Sequence, residues 1–230
     1  LNLIDKGDII IVKDLISQLN LELKFSQLIQ DFFAIQKNQL EEIHNLKSVE
    51  KIVDDALAVR HHTSTLILQS SIMKRLLEPH LPCQYIELQP NFRLHLPYKV
   101  IKYHEQAIES RIGRGKLNPH GQHKDSWRYH PKNTINVWLS LTTANKNNGL
   151  AILPNSADYS PKFDADKQEI AHGVKTYPVQ QYISDMNPGD ALLFKAELLH
   201  GSIINTSDKT RATLSMRCTV NKPEFHKKVI

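Results

Sequence analysis

Residues 120–141, His-Gly-Gln-His-Lys-Asp-Ser-Trp-Arg-Tyr-His-Pro-Lys-Asn-Thr-Ile-Asn-Val-Trp-Leu-Ser-Leu, decide how the chain is read. The stretch opens with histidines and a carboxylate and closes, from Thr134 to Leu141, on the alternation of a strand. At a strand end, His123 and Asp125 are two apart and point the same way. One imidazole and one carboxylate on one face supply two ligands of a metal site, and a third must come from elsewhere. The best candidate is His200, in Leu198-Leu-His200-Gly-Ser202-Ile-Ile-Asn205, where one expected strand ends and another begins. Two histidines and one carboxylate form the facial triad of non-haem Fe(II) oxygenases, which leaves three positions on the metal open. In a chain with twelve histidines a His-x-Asp pair arises readily by chance. Arg211 makes the set more specific. It lies eleven residues beyond His200, at the start of a strand-like run. An arginine there pairs bidentately with the far carboxylate of a dicarboxylic cosubstrate. Thr213, on the same face, adds a hydroxyl donor.

Working outward, the sequence after Pro90 consists of short alternating runs bounded by Pro, Gly and Asn: Phe92 to Leu96, Thr134 to Leu141, Ala151 to Leu153, Ala191 to Phe194, Gly201 to Ile204 and Ala212 to Val220. Such spacing predicts an antiparallel sandwich or barrel. Before Pro90, Ile9 to Val12 reads as a strand. Apolar residues from Leu15 to Ile35 then recur at helical spacing. A second helix is expected after Ser48 as its N-cap, and a third from Thr65 to Leu77, ended by Pro79 and Pro82. The expected fold is mainly β with flanking helices. One domain spans 1–230, with 1–90 mostly a helical buttress and 91–230 the β-core. Glu105 to Pro119, with Gly113 and Gly115, reads as a flexible loop beside the metal and a candidate substrate lid.

The composition narrows the function. The chain has 230 residues, 40% of them hydrophobic, enough to bury a core. Two cysteines, Cys83 and Cys218, form no CxxC or zinc pattern, so a cytoplasmic, reducing compartment is the expectation. No signal peptide or membrane-length apolar run is read; the chain starts at Leu1 rather than Met, which leaves a lost leader or disordered start open. The formal charge of +5 is scattered, and Lys227 and Lys228 read as a solvated tail. Without a basic stripe interleaved with aromatics, neither a nucleic-acid nor a membrane partner is expected. A small-molecule substrate is expected instead, and the oligomeric state is open.

Several segments together resemble the phytanoyl-CoA dioxygenase family of Fe(II)/2-oxoglutarate-dependent oxygenases. Asn148-Gly149-Leu150-Ala-Ile-Leu153-Pro154-Asn155-Ser156 resembles the family segment ending in Pro-Gly-Ser-His, with Asn155 in place of the usual Gly and Ala157 where His is common. Pro188-Gly189-Asp190-Ala191-Leu-Leu-Phe194 resembles its Gly-Asp strand. His200-Gly201-Ser202, with Asn205, Ser207 and Arg211, resembles its closing motif, and Gly7 to Leu15 its opening. The likeness is strong from Asn118 to Arg217 and weak between Asn20 and Pro90.

The resemblance implies a cupin-like double-stranded β-helix, or jelly-roll, behind N-terminal helices. It implies that His123, Asp125 and His200 bind Fe(II), and that Arg211 holds 2-oxoglutarate, with O₂ as second cosubstrate. Trp138 matches a position lining the cosubstrate pocket. The alternation independently puts Asn136, Trp138 and Ser140 on one face. The departures at Asn155 and Ala157 are expected to fall in a connecting turn and to leave the metal chemistry intact. Related halogenases lack the carboxylate ligand, so Asp125 disfavours halogenation; the resemblance implies hydroxylation of an unactivated C–H bond, with desaturation or ring formation also open. Substrate contacts are expected from Trp127, Arg93, His95 and Arg217. No acyl-CoA signature is read, and the expected role is a tailoring step on a small polar metabolite. The alternatives are a non-catalytic metal-binding jelly-roll and a cupin-type metalloenzyme that does not use 2-oxoglutarate.

Overall fold

The structure, a computed structural model, describes residues 3–5, 9–59, 61–80, 83–113, 121–164, 166, 169–170 and 182–225. Among these, the helices are α1 (Leu15–Gln18), α2 (Glu22–Phe33), α3 (Ile43–Leu46), α4 (Val49–Val59), α5 (Thr63–His80), α6 (Tyr98–Ile101) and α7 (Glu105–Ile112). The strands are β1 (Leu3–Asp5), β2 (Ile9–Val12), β3 (Tyr85–Ile86), β4 (Asn91–His95), β5 (Thr134–Ser140), β6 (Leu150–Ile152), β7 (Phe163–Asp164), β8 (Glu169–Ile170), β9 (Tyr182–Ile183), β10 (Ala191–Lys195), β11 (His200–Ser202) and β12 (Arg211–Thr219).

All strand pairs are antiparallel. The larger sheet runs β1-β2-β10-β5-β12-β3, with β4 beside the first half of β12. The smaller runs β11-β6-β9, and β7 pairs with β8 alone. This is the sheet-rich, cupin-like core with flanking helices that the sequence predicted. Within 1–90 the strand expected at Ile9 to Val12 is β2, and with β1 and β3, which were not expected, it joins the larger sheet.

The strands' period of two sorts their side chains into two cores. Val137, Leu139, Leu193, Leu214 and Met216 point to one face, where they pack with Phe25, Phe33 and Leu68 of the helices. Trp138, Leu192 and Phe194 point to the other, where they meet Leu150 and Ile152 of the smaller sheet. Both faces of the larger sheet are therefore covered, and all nine residues of β12 are buried. The odd-numbered residues of β12, Arg211 to Arg217, face between the sheets, which is how a polar site comes to lie inside.

Two expectations needed correction. The helical run from Leu15 to Ile35 is broken between α1 and α2, where Asn20 adopts a left-handed backbone (φ 53°), a conformation asparagine tolerates. Glu105 to Ile112 is a helix, not a loop. Ile108 and Ile112 bury one side of α7, and Arg111 pairs with Asp54 of α4. One apolar pair four residues apart is a weak periodic signal, and the glycine at 113 that suggested a loop instead ends the helix with φ 75°. The rest of the expected lid, 114–119, lies outside the described residues, as do Gly7 of the opening segment, His120 and the Lys227–Lys228 tail. Ser48 caps α4 as expected, its Oγ accepting from the Lys51 N–H at 3.3 Å.

Candidate metal centre

His200 is brought to His123 by backbone pairing. The His123 N–H donates to the His200 carbonyl at 2.8 Å, and the His200 N–H donates back at 2.9 Å. The His-x-Asp segment thus adds to the edge of the smaller sheet next to β11. The approach is close: a Cβ on Gly201 would stand 3.1 Å from the Gln122 backbone. Asp125 starts a short 3-10 helix, Asp125–Arg128, rather than continuing a strand, and its carboxylate still reaches both imidazoles. Asp125 Oδ1 is 3.8 Å from His123 Nε2 and 3.7 Å from His200 Nε2. One donor atom from each of the three residues lies within 4.8 Å of the others, and all three residues are buried.

The donor atoms are in the state a metal needs. His123 Nδ1 is 2.8 Å from the Gly121 carbonyl, and His200 Nδ1 is 2.8 Å from the Leu198 carbonyl. Each contact fixes the proton on Nδ1 and turns the Nε2 lone pair to the centre. Burial pushes both imidazoles below their ordinary pKa, His123 well below, where the second imidazole adds to the effect. Burial alone would raise the Asp125 carboxyl, but the Arg217 guanidinium outweighs it and holds Asp125 well below the usual carboxylate range. Neutral imidazoles and an ionised carboxylate are the metal-binding forms. Asn136 Nδ2 donates to Asp125 Oδ2 at 2.7 Å, which leaves Oδ1 facing the histidines.

Arg211 is fully buried one layer behind the cavity wall. Its Nη1 donates to the carbonyls of Asn148 and Gly149 at 2.9 and 3.0 Å, and its Nη2 meets His95 Nδ1 at 2.7 Å and Ser202 Oγ at 3.1 Å. The guanidinium lies 5.5 Å from the Trp138 ring centroid. None of these partners is an anion, and among the described residues no carboxylate pairs with Arg211. Burial, and then Arg93, push its pKa down to about 9, so it stays charged at neutral pH. A buried charge without a counter-ion costs several kcal/mol, on the order of 3–5. Arg211 Nε and Thr213 Oγ1 are both buried without a hydrogen bond. A carboxylate arriving here would satisfy the charge and both atoms, so the residues present fit a dicarboxylic cosubstrate.

The cavity itself is lined by His123, Asp125 and His200 with Asn136, Trp138 and Ser202, and further by Arg93, Leu150, Phe194, Ser215 and Arg217. Of the residues expected at the site, Arg93, Asn136, Trp138 and Arg217 are on its wall. His95 is buried against Arg211 instead, and Arg211 and Thr213 stand behind the wall. Trp127, on the short helix after Asp125, is half-buried and does not line the cavity. Ser202 was missed, although it is two residues from His200 on one strand and so shares its face. The turn at 154–157 is tied to residues that flank the metal cluster. Ser156 Oγ accepts from the Leu199 N–H at 2.7 Å, and Lys124 Nζ donates to the Ala157 carbonyl. Asn155, where the family has Gly, takes the left-handed backbone (φ 58°) that explains the family's preference.

A phytanoyl-CoA dioxygenase (PhyH) family model matches residues 24–213. The chain belongs to that family. Its members are Fe(II)- and 2-oxoglutarate-dependent oxygenases, and the cofactors follow with the family. No curated protein matches the chain. Among solved structures, the 2-oxoglutarate-dependent epimerase SnoN from nogalamycin biosynthesis aligns over 98% of this chain and 83% of its own at 11% identity, with a TM-score of 0.52. EvdO2 from Micromonospora carbonacea var. aurantiaca aligns over 97% of this chain and 96% of its own at 15% identity, TM-score 0.50. These likenesses are ones of fold. The carbocyclase SnoK, at 13% identity and TM-score 0.42, aligns over 82% of this chain, which spans 63% of SnoK's length. No helix among the described residues is long and apolar enough to cross a membrane.

Proposed function

We propose that this PhyH-family chain hydroxylates an unactivated C–H bond of a small metabolite, as a tailoring step in natural-product biosynthesis, within one domain spanning 1–230. The observation that carries the reading is the buried His123–Asp125–His200 cluster with a buried, anion-free Arg211 behind it. His123 Nε2, Asp125 Oδ1 and His200 Nε2 would hold Fe(II). Arg211, with the Thr213 hydroxyl, would take the far carboxylate of 2-oxoglutarate, and Trp138 would form a wall of its pocket. Asn136 and Arg217 hold Asp125 in its orientation and ionised state. Held there, Fe(II) and 2-oxoglutarate would supply O₂ activation, with oxidation of the cosubstrate to succinate and CO₂ coupled to oxidation of the substrate. The protein's own work is to fix the ligands, neutralise the cosubstrate's charge and keep the site dry.

A biosynthetic role is supported by the epimerase of nogalamycin biosynthesis that shares the fold. A metal-binding module without turnover has no use for the buried charge at Arg211, and neither has a cupin-type enzyme that does not use 2-oxoglutarate. Two free thiols agree with a cytoplasmic location. The test is succinate release by the purified chain given Fe(II), ascorbate, O₂ and 2-oxoglutarate. Wild type is expected to form succinate, and His123→Ala and Asp125→Ala are not. Equal succinate from all three proteins would overturn the reading.

A further inference from the structure

The metal cavity has a neighbour. On the other side of Arg217 is a more open pocket of about 250 Å³, whose wall includes Tyr85, Glu87, Tyr129, His130, Pro223 and Phe225. Arg217 lines both hollows. Its Nη2 donates to Asp125 Oδ1 at 3.4 Å and its Nη1 to Glu87 Oε2 at 3.1 Å, so it is the partition between them. The size falls just under the roughly 300–1,000 Å³ of sites for drug-sized ligands, which suits a small metabolite.

Three features mark this pocket as built. Its aromatic rings face water, with Tyr129 74%, Phe225 62% and Tyr85 45% exposed; a cluster of rings left in solvent marks a place where something else packs. The rings are also held. Tyr129 has a left-handed backbone (φ 64°) directly after the short helix that carries Asp125, and such strain in a bulky residue gathers at functional sites. Phe225 is carried on a segment pinned across to residues 132 and 133. The Lys132 N–H donates to the Glu224 carbonyl at 2.8 Å, the Glu224 N–H to Asn133 Oδ1 at 3.0 Å, and Asn133 Nδ2 to the Lys222 carbonyl at 2.9 Å. Finally, the charge turned to this pocket is negative. The Glu87 side chain is 30% exposed against 9% for Arg217, and a carboxylate that accepts one bond from Arg217 has further acceptor sites to offer.

The geometry points to this pocket as a binding site for a ring-bearing amine or alcohol beside the metal cavity: an apolar ring system packed against Tyr129 and Phe225, carrying an amine or hydroxyl that donates to Glu87. The assignment stands apart from the oxygenase reading, because Arg217 walls the pocket off from the metal cavity. Anionic ring compounds are disfavoured by Glu87.

No metal ligand lines the pocket, so binding is measured directly on the full chain by ligand-observed NMR. The probes are tryptamine and indole-3-acetate, one ring with opposite charges. Tryptamine is expected to bind the more tightly, and Glu87→Gln to abolish that preference. Tyr129→Ala and Phe225→Ala are each expected to weaken both probes by roughly two- to tenfold. Both rings are largely exposed, so the Tm of these two variants should stay near wild type. Indole-3-acetate binding at least as tightly as tryptamine, or tryptamine binding untouched by both ring truncations, would overturn the assignment. Succinate release by wild type separates the two levels. Succinate without tryptamine binding defeats the pocket alone; tryptamine binding without succinate defeats the oxygenase reading and leaves the pocket assigned.

Discussion

Arg211 and Asn136 act on opposite ends of the same chemistry, and their variants should fail differently. Arg211 presents a buried charge to an incoming anion, whereas Asn136 occupies one oxygen of a metal ligand. Arg211→Ala should weaken 2-oxoglutarate binding about a hundredfold, because charge-assisted hydrogen bonds in a dry site are lost, while Fe(II) binding changes little. Arg211→Lys should restore only part, since an ammonium lacks the guanidinium fork. Parallel titrations with metal and with 2-oxoglutarate check both. Asn136→Ala should show the reverse: metal affinity should fall by about 10- to 100-fold as Asp125 loses its orientation, measured by Mn(II) titration. At this scale the sequence was informative where chemistry requires a residue type. His123, Asp125, His200 and Arg211 are identifiable by type and spacing. Glu87 is not, because nothing local distinguishes it from any other exposed glutamate until β3 pairs with β12.

The elements position these residues through close backbone approaches. β11 runs so near the His-x-Asp segment that Gly201→Ala would drive a methyl into the Gln122 backbone. It should cost about 1–3 kcal/mol of stability and weaken metal binding together, seen in a denaturant titration run beside a metal titration. Asp190 ties the start of β10 to the loop after β2, accepting from the Asp14 N–H at 2.8 Å, the Asn187 N–H at 3.0 Å and Lys13 Nζ at 2.8 Å. Asp190→Ala leaves two backbone donors without this acceptor and should destabilise the chain by about 2–3 kcal/mol, read as a lower urea midpoint with unchanged slope. Strands β5, β10 and β12 were legible because they are long enough for a period of two to show. Two-residue strands such as β3, β7 and β9 carry no period, and α7 carries only one apolar pair; such elements are specified by their partners.

For the molecule as a whole, strand order was the illegible part. Antiparallel texture predicted a sandwich, yet no residue announces that β12 will lie between β5 and β4 or that β2 will join β10. Those pairings follow from which apolar faces must meet, and they decide everything about the site. They place the helices against one face of the larger sheet and leave the other face to meet the smaller sheet, with Arg211, Asn136 and Trp138 turned toward His200. The central claim is that this enclosed face holds Fe(II) and, next to it, 2-oxoglutarate anchored at Arg211. An anaerobic visible-absorption titration, adding Fe(II) and then 2-oxoglutarate to wild type and to Arg211→Ala, tests it most directly. A weak metal-to-ligand charge-transfer band is expected only after both additions, and weaker in the variant. Wild-type protein that binds Fe(II) yet develops no band with 2-oxoglutarate would contradict the account.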